Sequence, residues 1–335
     1  MTGPIRRLGA DWQRFWFEPQ ETSTLALFRI AFGLLTCGWT LSFLPNLFAF
    51  FAPDGIEPGR PKSYPGEWGM LTAPASPALI ITVFGVLLLA TLALTLGLFT
   101  RVAAVVVWAG ILSVEHANSL VGNSGDGLIR NLAFFLMFAP SGAALSLDRL
   151  RRVRPDVSPD RGRFWEFPAR APWALRLVQI QLSIGYLSAV WHKVQSELWR
   201  EGTAVSYAER LADIHRFPVP GFISQSVMLT EAMTFGTLAL EASLGILIWN
   251  RVARPWVMTA GVSLHLGIDY SILIGFFSFA MFNCYLSFLR PETASRYLLK
   301  ARDKVAARRA RRARRATSGS VAARARGAEG DRLAL

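Results

Sequence analysis

Long apolar runs separated by short polar connections recur along this chain from Leu25 almost to Leu289. The runs are Leu25 to Phe51, Ala78 to Phe99, Val102 to Leu120, Leu128 to Leu147, Trp173 to Trp191, Met228 to Trp249, Trp256 to Ile272 and Ile274 to Leu289. Each approaches or exceeds the about 20 apolar residues that cross a bilayer. Lipid offers no hydrogen-bond partner to a peptide group, so each run is predicted to be helical. The last two are separated by almost nothing around Gly275, which predicts a tight helical hairpin or one broken helix. The fold class expected is an all-α integral membrane protein, a polytopic bundle of about eight transmembrane helices filling residues 24–290. A segment over 1–23 precedes it and a tail over 291–335 follows it.

Composition agrees with bilayer as solvent: 52% of the 335 residues are hydrophobic, 18% are charged, and the mean hydropathy is +0.32. Arg6, Arg7 and Arg14 precede the first run as they would a signal peptide, but the run is too long and lacks an A-x-A cleavage site. A retained first helix is the better reading. Cys37 and Cys284 both lie in apolar runs and read as small buried thiols.

The net charge of +13 suggests nucleic acid until it is located along the chain. From Arg290 onward there are fourteen Lys or Arg against four Asp or Glu, so +10 of it lies in the tail. From Arg296 the tail alternates Ala and Arg and has too few large apolar side chains to pack a core, which predicts disorder or a surface helix. Contact with anionic inner-leaflet lipid is the expected role, at roughly 1 kcal/mol per basic residue near the surface, and no nucleic-acid partner is expected. The same charges orient the bundle. Arg6, Arg7 and Arg14, then Arg101, then Arg149, Arg151, Arg152, Arg154, Arg161, Arg163 and Arg170, then Arg251 and Arg254, and finally the tail all fall on one side of eight spans. Basic loops favour the cytoplasm, so both termini are predicted to be cytoplasmic. The opposite connections, 52–77, 121–127 and 192–227, are roughly charge-balanced, and the last reads as an interfacial helix followed by a turn.

Ionisable side chains inside spans cost roughly 3 kcal/mol on insertion scales and usually face the bundle interior. At 1.5 Å per residue, His116 lies about 21 Å from the inner end of its span beside Glu115, and His265 and Asp269 lie about 14 and 20 Å into theirs. His192 and Lys193 emerge at the outer end of the fifth span, with Glu197 one turn beyond. Asp126 and Arg130 open the fourth span from the same side, and Glu241 lies deeper in the sixth. Such a convergence predicts an outward-opening pocket with a few positioned polar groups. Each residue has a plainer reading as well. Lys193 can snorkel to the interface or pair with Glu197 at i,i+4; His265 and Asp269 share a face and can satisfy each other; His116 can cap a packing contact. His215 reads as a solvated surface histidine, and Glu241 needs a partner or a proton that the sequence does not identify. No pair of histidines has the i,i+4 spacing of a helical zinc site, so no metal is expected, and there is no phosphate-binding glycine loop, G-x-S-x-G elbow or C-x-x-C.

Several strings are familiar as a set: Tyr186-Leu187-Ser188-Ala189 running into Lys193, then Trp199-Arg200-Glu201-Gly202-Thr203-Ala204; Leu27-Phe28-Arg29-Ile30; Gly125-Asp126 with Arg130; Ser146-Leu147-Asp148; and His265-Leu266-Gly267 followed by Ile274-Gly275-Phe276-Phe277-Ser278. In order and spacing the chain resembles the HTTM (horizontally transferred transmembrane) domain family, bacterial relatives of vitamin K-dependent gamma-carboxylase. The resemblance implies a multi-pass protein of the bacterial plasma membrane. It also implies a reduced quinone of the vitamin K or menaquinol type as cofactor. In the carboxylase the lysine of this motif deprotonates the hydroquinone, starting an oxygenation whose alkoxide base drives glutamate carboxylation; Lys193 matches that position and His265 matches the family histidine. Beyond its membrane region the carboxylase continues into an extracytoplasmic domain that helps bind its protein substrate, where this chain continues into its Arg-rich tail, which weighs against peptide glutamate carboxylation. Some bacterial members instead assist maturation of a secreted peptide, which implies a peptide or small-protein substrate. The expected function is thus a quinol-using enzyme or maturation factor with Lys193 as base, and the rival is a non-catalytic membrane scaffold or small-molecule carrier.

Overall fold

A computed structural model describes residues 4–56, 68–71, 75–118, 121–152 and 164–308. Expectations for Leu120, for Arg154, Arg161 and Arg163, and for the tail from Arg309 fall outside the described residues. Fourteen helices have both ends among them. Of these, α1 is Pro4–Phe17, α2 Ser23–Phe43, α3 Leu47–Phe51, α4 Pro77–Leu96, α5 Thr100–Ala117, α6 Ser124–Phe138 and α7 Leu147–Arg152. The second half has α8 Trp173–Gln195, α9 Glu197–Arg200, α10 Ala204–Ala208, α11 Gly221–Ser224, α12 Val227–Leu247, α13 Arg254–Ser271 and α14 Phe277–Leu286. Among the described residues the sheet is one short antiparallel pair, Gln20–Glu21 (β1) with Ala169–Arg170 (β2). Residues 291–308 form a further helix, which seats Ala294 and Leu298 against the bundle.

Among the described residues three stretches are long and apolar enough to cross a membrane, Ser23–Phe51, Pro77–Leu96 and Thr100–Ala117, and α14 is a shorter apolar helix of 10 residues. The protein is therefore an α-helical membrane protein. The long helices pack in the order α2, α4, α5, α6, α8, α12, α13, and α14 closes the circuit between α13 and α2 while also touching α6 and α8. One continuous apolar core joins Phe28, Phe32 and Trp39 of α2 to Leu87, Ile111, Leu132, Leu182, Leu244 and Cys284 on the other helices.

Local chemistry explains the helix ends. Ser76 caps α4 through Leu79 N–H at 3.3 Å with Pro77 in the first turn, and Gly97 closes it in the left-handed region at φ 69°. The fourth apolar run does not persist to Leu147 as one helix: α6 stops at Phe138 because Pro140 holds Ala139 extended, at φ −68° and ψ 145°. At its other end the helix begins earlier than expected, at Ser124, because Asn123 and Asp126 form a reciprocal capping box. The segment around Gly275 makes two helices rather than one broken helix. Gly275 takes φ 62°, and residues 214–216 pair with 271–273 through Leu273 N–H to the Ile214 carbonyl at 2.7 Å and Arg216 N–H to that of Ser271 at 3.0 Å. His215 is accordingly half-buried in a bridge to Ile272, not a solvated surface histidine. The connection after α8 is not one interfacial helix but three short ones, interrupted at Gly202 with φ 77° and at Pro218 and Pro220. Cys284 is buried as expected, whereas Cys37 is only partly so.

At one pole of the bundle the strings around Arg29 and Asp148 meet. Arg29 is fully buried and donates to the carbonyls of Ser141, Ala144 and Leu145 at 2.8, 3.2 and 2.6 Å. The Asp148 carboxylate accepts from Phe99 N–H, Thr100 N–H and the Thr100 hydroxyl at 2.8, 2.8 and 2.6 Å, clamping the tight turn between α4 and α5. Burial alone pushes its carboxyl up; the Thr100 and Phe99 hydrogen bonds and the nearby Arg152 charge outweigh this and hold it below the ordinary aspartate value. A depressed carboxyl contributes stability above its unfolded-state pKa and loses it as pH falls through the folded value. Asp148→Asn is therefore expected to cost about 2 kcal/mol near neutral pH. The gap between wild type and variant should narrow below about pH 4. Unfolding of both proteins in detergent at stepped pH measures it, and a gap that widens in acid would contradict the clamp.

Candidate functional site

Helix α8 carries polar groups at seven-residue spacing, Gln179, Tyr186 and Lys193, two helical turns apart and so on one face. Each finds its partner on a different neighbour. Gln179 donates to the Ser287 carbonyl at 2.6 Å, just past α14. The Tyr186 hydroxyl bonds to that of Tyr285 on α14 and lies 2.8 Å from His265 Nε2 on α13. Lys193 ion-pairs with Glu241 on α12. The site is thus strung along the inward face of one helix and closed by three others.

The environment of Lys193 is specific. Its side chain is 24% exposed, that of Glu241 9%, and the Trp199 ring lies 4.7 Å from the ammonium. The i,i+4 pair with Glu197 does not form, because Ser196 takes an extended conformation, at φ −82° and ψ 135°, and ends α8 between the two residues. Glu197 and His192 are exposed and stand apart from this cluster. The deep carboxylate that lacked an identified partner therefore takes Lys193 as its cation. An ion pair withdrawn this far from water is held by low dielectric and by geometry, and removing either member strands the other.

His265 is buried at 2% exposure and is ringed by Phe277, Phe282, Tyr186 and Tyr285 with centroids 5.5, 6.1, 6.2 and 6.4 Å away. It does not pair with Asp269, which instead receives the Arg216 guanidinium at 2.9 Å from the segment between α10 and α11. Ser278 donates to the His265 carbonyl at 3.2 Å, so the histidine string and the string around Gly275 are joined directly. Lys193 lies near enough to His265 to act on it electrostatically. Three groups here are buried and lack a hydrogen-bond partner among the described residues: Glu241 Oε2, His265 Nδ1 and the whole Asn283 amide. Buried polar atoms of this kind are costly unless something satisfies them.

The remaining candidates form a second cluster. Glu115 ion-pairs with Arg130, while Asp126 and His116 lie close enough to contribute to its field. Asp126 also accepts from Trp39 Nε1 at 2.7 Å and is buried at 4% exposure. His116 Nδ1 lies 2.7 Å from the Trp68 carbonyl, so it ties a loop rather than capping a helix contact. Among the described residues no hydrogen bond or ion pair joins this cluster to Lys193. Backbone packing brings the two near each other: a Cβ on Gly125 would meet the Phe277 Cα at 2.9 Å, and Phe277 meets His265 edge to face. Tyr186 and Trp199 were named from the sequence only as parts of the familiar strings, and Tyr285 and Asn283 were not singled out. The seven-residue polar spacing on α8 was the available signal for Tyr186.

A family model, the HTTM domain, matches residues 17–292, a span that takes in every residue of both clusters. Neither curated proteins nor solved structures yield a match to this chain.

Removing one member of the Lys193–Glu241 pair should be worse than removing both charges. Lys193→Met is expected to cost about 2 kcal/mol, the low end for such a pair because the lysine retains some water. Adding Glu241→Gln to it should recover most of that loss. Unfolding of the two single variants and the double variant in detergent supplies the cycle, and strictly additive losses would show that the pair has no coupling.

Proposed function

Since the chain belongs to the HTTM domain family, we propose that it is a quinol-using membrane enzyme or secreted-peptide maturation factor with Lys193 as its base. The observation that carries this reading is the setting of Lys193. A simple anchor would be solvated and paired with Glu197; Lys193 is instead turned to a buried carboxylate under an indole ring. In a medium of low dielectric the charged pair and its neutral counterpart, amine beside carboxylic acid, differ far less than in water. Glu241 can then take the lysine proton and leave a neutral amine to receive another. Its second oxygen, Oε2, is unpartnered among the described residues, which leaves an acceptor for that exchange.

The residues present fit a flat ring bearing hydroxyl or carbonyl oxygens. The aromatic wall of Tyr186, Phe277, Phe282 and Tyr285 supplies faces for such a ring, and His265 Nδ1 and the Asn283 amide supply polar atoms in need of partners. A reduced quinone bound there would supply a phenolic proton and reducing electrons. Tyr186 fixes the His265 ring through Nε2, while Lys193 and Glu241 hold and pass the proton. The scaffold or carrier reading also has an observation in its favour, since the Lys193–Glu241 pair is closed on itself. Arginine keeps the charge and the pairing with Glu241 but does not deprotonate in proteins. Lys193→Arg is therefore expected to be folded and membrane-inserted, and to lose at least about 100-fold in the oxygen-dependent consumption of a reduced naphthoquinone, the scale of a lost general base. Full turnover by Lys193→Arg would leave the scaffold reading.

The orientation belongs to the same proposal: eight spans, both termini and the Arg-rich tail at the cytoplasmic face of a bacterial plasma membrane, and Lys193 towards the other side. Clustering of the basic loops supports it. A membrane-impermeant thiol reagent added to intact cells should label a cysteine placed at Thr203 and spare one placed at Ser318. The reverse pattern would invert the topology.

A further inference from the structure

At the end of α8 remote from Lys193, the bundle forms a partly open cavity of about 600 Å³. Arg176 and Lys193 are seventeen residues apart on α8, which separates the cavity from the lysine by about 25 Å. Five arginines from four stretches of chain line it: Arg170 on β2, Arg176 on α8, Arg251 and Arg254 just before and at the start of α13, and Arg290 beyond α14. Two carboxylates, Glu21 and Glu292, also line it, both exposed. Among the described residues neither forms an ion pair with any of the five.

Two of these cations are positioned by neutral groups, which leave their charge in place. Arg254 donates to the carbonyls of Ile248, Phe288 and Trp249 at 2.8, 3.2 and 3.4 Å. Arg176 donates to the Phe15 carbonyl at 3.2 Å and the Gln179 amide oxygen at 2.9 Å. Arg254 also lies in the field of Arg290, Arg251 and Arg176, three like charges. Thr22, buried at 3% exposure, lines the same cavity, and its hydroxyl has no hydrogen-bond partner among the described residues. A bundle that gathers repelling guanidinium groups around an unpartnered hydroxyl is built for an anion with several acceptor oxygens.

We propose that this cavity binds a phosphate group, and that its source is the headgroup of an anionic phospholipid. The level of the cavity favours the lipid over free phosphate. Trp12 on α1 and Trp256 on α13 are exposed at this end, 63% and 77%, and Trp173 opens α8 there, a girdle of the kind found at the headgroup layer. Basic pockets between helices at that depth are suited to phospholipid headgroups. None of the lining residues lies beyond Glu292, and the site does not depend on any role for Lys193.

Thermal unfolding of the full chain in detergent, followed by tryptophan fluorescence at constant ionic strength, tests this with three additives: phosphatidylglycerol, phosphatidylcholine and inorganic phosphate. Phosphatidylglycerol is expected to raise the midpoint by several degrees and phosphatidylcholine to leave it unchanged. The Arg170→Gln, Arg290→Gln double variant should show at most a third of that rise. A variant with Arg311, Arg312, Arg314 and Arg315 all changed to Gln should keep it, and where the cavity variant does not fold, each single substitution should halve the rise. If inorganic phosphate alone gives the full rise, abolished by the cavity variant, phosphate binding stands and its source is the free anion. An equal rise with phosphatidylcholine, an undiminished rise in the cavity variants, or loss of the rise in the tail variant would overturn the proposal.

Discussion

A charge carried into an apolar bundle must be met from inside the protein, since lipid offers neither counter-ion nor hydrogen bond. In this chain that requirement fixes which helices touch. Arg29 reaches the carbonyls at 141, 144 and 145 and so ties α2 to the segment after α6. Lys193 and Glu241 tie α8 to α12, Glu115 and Arg130 tie α5 to α6, and Trp39 with Asp126 ties α2 to α6. Apolar packing alone would tolerate many rotations of these helices about their axes. The polar ties select one, and the candidate site is assembled from the same bonds that specify the bundle.

Helix positions were legible because apolar runs of this length have few alternatives, and the runs leading to α4, α8 and α12 agree with those helices within a few residues. Ends were less legible. The fourth run stayed apolar past Phe138, so hydropathy gave no warning that Pro140 would stop the helix. Partnership was the least legible layer. Lys193 and Glu197 satisfy the i,i+4 rule on paper, but the rule presumes one continuous helix, and Ser196 breaks it. His265 and Asp269 share a helix face, yet α8 supplies Tyr186 to the first and the segment between α10 and α11 supplies Arg216 to the second. Partners distant in sequence are chosen by the fold as a whole, and a single chain read in order does not reveal them.

The strings that carried the family resemblance prove to be places where helices meet. Leu27 to Ile30 and Ser146 to Asp148 converge at one pole, whereas Gly125, Phe277, Ser278 and His265 converge near the other. Arg29 and Asp148 hold a loop and a turn at their pole, where Arg29 Nε and Ser141 Oγ also lack partners among the described residues. Lys193, Glu241, Tyr186 and His265 sit where polar capacity exceeds what the protein itself consumes.

Helix α14 has 10 residues. At 1.5 Å each it is about 15 Å long, half the thickness of the hydrocarbon layer. The backbone ahead of it, residues 272–276, is not helical, and the strip at 214–216 fastens upon it. Irregular peptide at such depth is tolerated only where protein or water covers it. A group on that side of the bundle would meet non-helical peptide, rather than a further turn of apolar helix, before the hydrogen-bonded Tyr186, Tyr285 and His265.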